Sequence, residues 1–386
     1  MPKHETKLDS PVFIAVSILL GLGVVIVYSA SSFKAQELMG DSHFFLKNHL
    51  YKVIVGILLM LVLARVNYRF WLNISPVLLV GCFITLLYLL FSPTVTEIRG
   101  SRRWISFAGF AVQPSDFARL ALILFLSLSL GATDFVREKT LKSFGFHLGV
   151  IAGIALPILL QPDAGSALLL TLIALTILFV AGEKLRYLLM VAVLALPPLS
   201  IMLLAEGYQK SRLQHFITSI TGGEVGWQAK QSLIALGNGH IVGLGLGGSL
   251  QKLHFLPDPF TDFIFAIVGE ELGLLGTASI LLLFWILIGR GFYIARQAPD
   301  FQGKILAIGI TISLAVYATT NIGVVLNVLP TTGIPLPFLS YGGSALLVNL
   351  TMVGILLNIA SQGYSSSRVK PVGSYANRRK TSSWNG

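Results

Sequence analysis

Cysteine is nearly absent: Cys82 is the only one in 386 residues, and it stands inside an apolar run. A disulfide framework and a thiolate metal site are both excluded. Charge is scarce too, at 12% Asp, Glu, Lys and Arg, against roughly 25% in ordinary soluble domains. A soluble globular chain of this length would need more polar surface than that. Acidic residues are the scarcer sign, 17 against 28 Lys and Arg. His43, His49, His147, His215, His240 and His254 form no H-E-x-x-H or comparable pair, which argues against a zinc site.

Apolar sequence is what remains. Hydrophobic residues make up 54% of the chain, and the mean hydropathy is +0.78. Only helices or closed barrels satisfy the backbone in lipid, and a helical span needs about 20 mostly apolar residues. Such stretches fall at 12–31, 50–64, 72–92, 114–131, 146–160, 164–182, 185–205, 263–288, 305–329 and 340–360. The expected fold is therefore all-α: a polytopic membrane protein of about ten transmembrane helices, with a large extracytoplasmic loop between helices 7 and 8. Residues 12–31 have the small-residue flank of a signal peptide, but the length of the apolar run favours a retained first span.

Most Lys and Arg fall in the segments that are cytoplasmic if the N-terminus is inside, which is the positive-inside pattern. Both termini are then cytoplasmic. The net charge of +11 is explained without nucleic acid. Residues 1–361 form one membrane domain, and the basic, Ser-rich segment 362–386 reads as a disordered cytoplasmic tail. The loop at about 206–261 is too long for a simple connector. Trp227, Phe216, Leu233, Ile234, Ile241 and Leu253 give it apolar surface to pack with.

Asp262 closes that loop. Pro257 and Pro259 restrict the backbone before it, and Thr261 is the expected N-cap of the adjoining apolar helix. The helix dipole favours an ionised acid there, which suits a proton acceptor and equally suits a plain helix start. Glu270 and Glu271 lie within the apolar stretch, where a bare carboxylate is costly. In a regular helix they sit roughly 12 to 13 Å below Asp262, rotated by about 80° and 180°, so they cannot pair with it as the acids of a glycoside hydrolase do. Gly269 and Gly273 are positions where that helix could distort. An ion pair with Arg119 inside the bundle is a structural alternative for the two glutamates. Asp163 is another costly intramembrane acid.

Arg102 and Arg103 precede Trp104, a set that fits a phosphate-bearing lipid headgroup or plain interfacial anchoring. Arg119 lies inside a span and needs an anionic partner. Gly243-Leu-Gly-Leu-Gly-Gly248 matches G-x-G-x-x-G letter for letter, but no strand precedes it, so a dinucleotide site is rejected in favour of a flexible, close-packed loop beside the site.

Seven motifs together resemble the SEDS family of FtsW, RodA and SpoVE proteins. They are Gly100-Ser-Arg-Arg-Trp-Ile105, Gln113-Pro-Ser-Asp-Phe-Ala-Arg119, Gln161-Pro-Asp-Ala-Gly165, Gln231-Ser-Leu-Ile-Ala-Leu-Gly237, Leu256-Pro-Asp-Pro-Phe-Thr-Asp-Phe263, Gly269-Glu-Glu-Leu-Gly273 and Pro335-Leu-Pro-Phe-Leu-Ser-Tyr-Gly-Gly343. Arg119 stands where that family often has Lys, and Asn238-Gly-His240 replaces a commoner Ser-Gly-Gly. The resemblance implies a peptidoglycan glycosyltransferase that polymerises lipid II on the outer face of the bacterial cytoplasmic membrane, closer to the division and sporulation branch than to the elongation branch. It implies Asp262 as the essential acid. With that chemistry, Arg102, Arg103, Arg119, Lys252, Gln231 and Ser232 are the candidate substrate-binding residues, and Glu270, Glu271 and Asp163 are read as structural or bundle polar groups. The resemblance further implies a divalent cation, Mg or Mn, and no organic cofactor. The implied partners are the nascent glycan chain, a class B penicillin-binding protein and other divisome or elongasome membrane proteins, and septal location goes with the division branch. A lipid II flippase, an elongation-type polymerase and a scaffold for the transpeptidase are the rival readings.

Overall fold

The structure is a computed structural model that describes residues 8–92, 103–107, 110–132, 141–191, 193, 208–253 and 255–368. It is mostly helical. The elements are α1 (Ser10–Met39), α2 (Phe44–Leu63), α3 (Tyr68–Phe91), the strands β1 (Ile105–Phe107) and β2 (Phe110–Val112), α4 (Pro114–Leu130), α5 (Leu141–Leu160), α6 (Ala164–Val180), α7 (Tyr208–Ile220), α8 (Trp227–Asn238), α9 (Ile264–Gln297), α10 (Phe301–Val325) and α11 (Ser344–Arg368). Among the described residues, seven helices are long and apolar enough to cross a membrane, namely α1, α2, α3, α5, α9, α10 and α11. α6 is apolar but shorter. The expected seventh span at 185–205 lies largely outside the described residues. α11 runs to Arg368, so helix continues past residue 361, where the tail was expected to begin.

α10 and α11 are the most enclosed of the spans. α10 packs against α4, α6, α8, α9 and α11, and α11 packs mainly on α2. Peripheral faces are apolar and exposed, as at Val77, Phe91 and Trp285, each more than 70% exposed, which is the surface a lipid environment accepts. Glycines permit the closest helix approaches. A Cβ at Gly354 would press on the Met60 carbonyl, and one at Gly23 on the Phe338 carbonyl.

Polar clasps fix one end of the bundle. Asp9 caps α1 and takes Arg290 Nη2 at 2.6 Å and the Tyr364 hydroxyl at 2.8 Å, tying α1, α9 and α11 together. Asp300 caps α10 and accepts from Tyr68 and Arg69 of α3 at 2.8 and 2.7 Å. Burial alone would raise the Asp300 carboxyl, but the Gly303 N–H, Arg69 and Tyr68 outweigh it and hold it below the usual carboxylate range. Asn358 of α11 accepts from the Tyr68 N–H and donates to the Ala64 carbonyl, capping the α2–α3 connection.

The opposite end carries α7, α8 and the irregular stretch 239–263. Here α9 is broken. Gly273 has φ 65° and ψ −161°, which frees two carbonyls and two amides within the helix. The 240–245 loop takes all four: Leu244 and Gly245 N–H donate to the Glu270 and Glu271 carbonyls, and Leu274 and Leu275 N–H donate to the His240 and Ile241 carbonyls, at 3.0 to 3.1 Å. Backbone groups released by a helix break inside a bundle need partners of this kind. The loop comes close enough only as glycine. A Cβ at Gly243, itself at φ +87°, would overlap the Glu271 carbonyl, and one at Gly239 would overlap the Gly269 carbonyl. The G-x-G-x-x-G run thus begins as a strap packed on the broken helix at Gly243, while Gly245 and Gly247 have nothing within 4 Å of an added Cβ.

Gly243→Ala combines a clash with a positive φ, so it is expected to cost more than about 2 kcal/mol, read as a lowered thermal unfolding temperature of the detergent-solubilised protein. Gly237→Ala, where nothing lies within 4 Å, should leave that temperature at or above wild type.

Candidate active site

The broken helix brings Glu270 and Glu271 to the strap, and both are fully buried. Glu271 accepts the Ser29 hydroxyl of α1 at 2.6 and 2.7 Å and the Lys252 ammonium at 3.0 Å. Lys252 Nζ also reaches the Gly247 carbonyl at 2.8 Å and the Ser29 hydroxyl at 3.3 Å. Glu270 accepts the Ser249 hydroxyl, Asn238 Nδ2 at 3.2 Å and the Gln251 N–H at 3.3 Å. Every carboxylate oxygen of this buried pair is therefore served, which is the condition for keeping it in a low dielectric.

This arrangement corrects three expectations. The two glutamates do not pair with Arg119; Lys252 and the strap are their partners, because the break at Gly273 turns the loop onto them. Lys252 Nζ, on Glu271, Gly247 and Ser29, ties the loop down at this point. The regular-helix angles do not carry through from Asp262 either, since α9 starts at Ile264 with Phe263 at its N-cap. Thr261 is not that cap: its hydroxyl donates to the Asp258 carbonyl at 2.9 Å and to Asp262 Oδ1 at 2.8 Å.

Asp262 is half-buried, unlike Glu270 and Glu271. Its backbone carbonyl takes Asn321 Nδ2 at 2.7 Å, and the same amide donates to the Ile334 carbonyl at 2.8 Å. One side chain of α10 thereby joins the Asp262 loop to the Thr-Gly-Ile-Pro segment, where a Cβ built on Gly333 would lie 3.9 Å from Asp262 Oδ2. Lys34 of α1 pairs with Asp258 at 2.8 Å. Trp227 Nε1 donates to the Phe255 carbonyl at 3.0 Å, and the Tyr341 N–H to the Phe260 carbonyl at 2.8 Å. The acid is held from α1, α8, α10 and the segment before α11.

A second polar cluster stands at the same end. Asp163 caps α6 and accepts Gln113 Nε2 at 2.9 Å, with Arg103 Nη1 at 3.3 Å. The Ser344 hydroxyl donates to Asp116 at 2.7 Å and accepts the Gln113 N–H at 3.0 Å. Arg119, 1% exposed, lies 3.9 Å from Asp116, donates to Asn349 at 3.0 Å and sits 3.7 Å from the Tyr317 ring centre. Its Nε and Nη1 have no hydrogen-bond partner among the described residues, so this guanidinium retains donors for an anion. Arg102 lies outside the described residues. Gln231 is buried in α8, and Ser232 is buried beside it with its hydroxyl on the Val325 carbonyl at 2.7 Å, pinning α8 to α10. Among the described residues no group of three or more His, Cys, Asp or Glu stands together as a metal site.

The profile of the cell cycle protein family FtsW/RodA/SpoVE matches residues 10–365. The chain belongs to that family. It is 40% identical over 366 residues to the probable peptidoglycan glycosyltransferase FtsW of Geobacter metallireducens, covering 93% of this chain and 96% of that one. It is equally 40% identical to stage V sporulation protein E of Bacillus subtilis, covering 93% and 99%. Its fold is that of a chain from a peptidoglycan synthase complex (TM-score 0.74, 24% identity, 93% and 99% covered) and of the rod shape determining protein RodA of Thermus thermophilus (TM-score 0.69, 24% identity, 93% and 98% covered). As an FtsW/RodA/SpoVE chain, it is a polytopic integral membrane protein. Sequence reasoning missed Ser29, Ser249, Asn238 and Asn321. Asn238 had one visible signal, since it lies in the tripeptide that departs from the family's usual Ser-Gly-Gly.

Removing Lys252 strands a fully buried carboxylate, so Lys252→Met should destabilise by about 3 to 5 kcal/mol. Combining it with Glu271→Gln should recover a large part of that loss. A double-mutant cycle on thermal unfolding that came out additive would remove the ion pair from the account.

Proposed function

We propose that this protein is a peptidoglycan glycosyltransferase that polymerises lipid II into glycan strands for septal wall synthesis, with Asp262 as general base. The observation that carries the assignment is the segregation of the acids along one stretch. Glu270 and Glu271 are buried and fully bonded, whereas Asp262 is part-exposed on a loop braced from four sides. The relatives named as probable FtsW glycosyltransferases support the substrate class.

In this reading the chain has ten spans with both termini cytoplasmic, and the 206–261 segment lies on the outer face of the bacterial inner membrane. The membrane domain ends in the basic tail beyond α11. The Asp262 carboxylate takes the proton of the acceptor sugar's 4-hydroxyl. The freed oxygen attacks the donor's anomeric carbon, and the polyprenyl diphosphate departs with the electrons of the broken C–O bond. One displacement inverts an α-linked donor to a β-linkage. Arg102, Arg103 and Arg119 are the residues assigned in this reading to neutralise the departing charge. A divalent cation would find one carboxylate in Asp262 and the rest of its oxygens on the substrate diphosphate, the donor mix Mg²⁺ commonly takes; bound there, it would neutralise phosphate charge. A class B penicillin-binding protein is the proposed partner, with other division membrane proteins around it.

Purified protein in detergent, given labelled lipid II, tests the base assignment without any membrane sidedness. Asp262→Asn and Asp262→Ala should each lower polymerisation by at least about 100-fold while leaving the unfolding temperature near that of wild type. Wild-type rate and polymer length from either variant would refute the role of Asp262, and variants impaired only in moving lipid II across proteoliposomes would point to transport.

A further inference from the structure

One basic pair near Asp262 has no part in the scheme above. Phe45, His49 and Lys52 lie three and four residues apart on one face of α2. His49 is fully buried, and neither of its ring nitrogens has a hydrogen-bond partner among the described residues. Lys52 is 8% exposed, and its Nζ lies 4.4 Å from the Tyr341 ring centre. That aromatic face gives partial compensation, but no carboxylate pairs with Lys52 among the described residues. By contrast, enclosed Lys252 has Glu271 at 3.0 Å, and the part-exposed Arg290 has Asp9 at 2.6 Å. A buried cation lacking its anion is costly, and so is a buried imidazole lacking both partners. A site built this way is one anion short.

The surroundings say where that anion would sit. Tyr341 packs edge-on to Phe260 and Phe45, with centroids 5.6 and 5.5 Å away, and its N–H holds the Phe260 carbonyl at 2.8 Å. Phe260 is two residues before Asp262. The opposite face of α2 exposes Tyr51, Ile54 and Leu58, so the same helix that carries the cations also fronts the lipid. We propose that His49 and Lys52 form a subsite for the diphosphate group of a polyprenyl-diphosphate-linked sugar, bound beside the Asp262 loop. This rests on the glycosyltransferase reading for the identity of the lipid-linked ligand, and it adds two binding residues on α2 that act with the arginines of the Asp163 cluster.

The test uses the full chain in nanodiscs and a fluorescent polyprenyl diphosphate, read by binding without turnover. Lys52→Met should weaken binding by about tenfold or more, Lys52→Arg should stay within about threefold of wild type, and His49→Phe should fall between them. Because Lys52 is uncompensated, ligand-free Lys52→Met should unfold at or above the wild-type temperature, the opposite of what a structural lysine would do. Inorganic pyrophosphate displacing the probe at similar concentration would keep the diphosphate subsite and remove the lipid from it. Wild-type affinity in Lys52→Met, or a lowered unfolding temperature with no rescue of binding by Lys52→Arg, would overturn the proposal. Lysine-dependent binding in a protein that makes no polymer from lipid II would leave the subsite standing and sink the polymerase reading.

Discussion

The arrangement depends on two carboxylates buried inside a broken helix. Glu270 and Glu271 occupy the one turn of α9 where the backbone also loses its own partners, at Gly273. A carboxylate in an apolar bundle is tolerated only with its lone pairs filled. The strap answers both deficits at once: its backbone completes the broken helix, and Ser249, Asn238, Lys252 and the Gln251 N–H complete the side chains. The constraint explains the composition of the strap. Glycine is required at Gly239 and Gly243 because only bare backbone comes close enough.

Fixing the strap also fixes the loop that leads to Asp262. Gly247, Ser249, Gln251 and Lys252 are tied to α1 and α9. The Leu256 N–H bonds back to the Gln251 carbonyl at 2.9 Å, and Asn321 then holds Asp262 by its main chain. The acid proposed as base thus belongs to a segment anchored at both ends, and the residue is only partly buried. Anchoring the backbone on both sides holds the Asp262 side chain at one place.

Much of this was legible in the residues. Apolar runs of span length marked the helices, because lipid imposes a length and a composition that soluble packing does not. Asp262 stood out as an acid where a proline-restricted loop meets an apolar helix. The partners of Glu270 and Glu271 were not legible. Lys252 and Ser29 lie 19 and 242 residues from Glu271 in sequence, and only a helix break brings the loop down to them. Gly273 hinted at that break without showing its direction. Lys252 read as a headgroup cation because a lysine in a polar loop carries no mark of an inward partner. His49 and Lys52 were passed over for the converse reason, since a His and a Lys near a span end look like interfacial residues until burial shows otherwise.

Amide hydrogen exchange on the purified protein, comparing wild type with Glu271→Gln, tests most directly whether the buried carboxylates hold the strap and, through it, the Asp262 loop. The account predicts that protection falls together at Gly247, Gln251 and Leu256 while the Asp9 and Asp300 end of the bundle is unchanged. Unaltered exchange across 247–256 in a variant that has lost the Lys252 ion pair would contradict it.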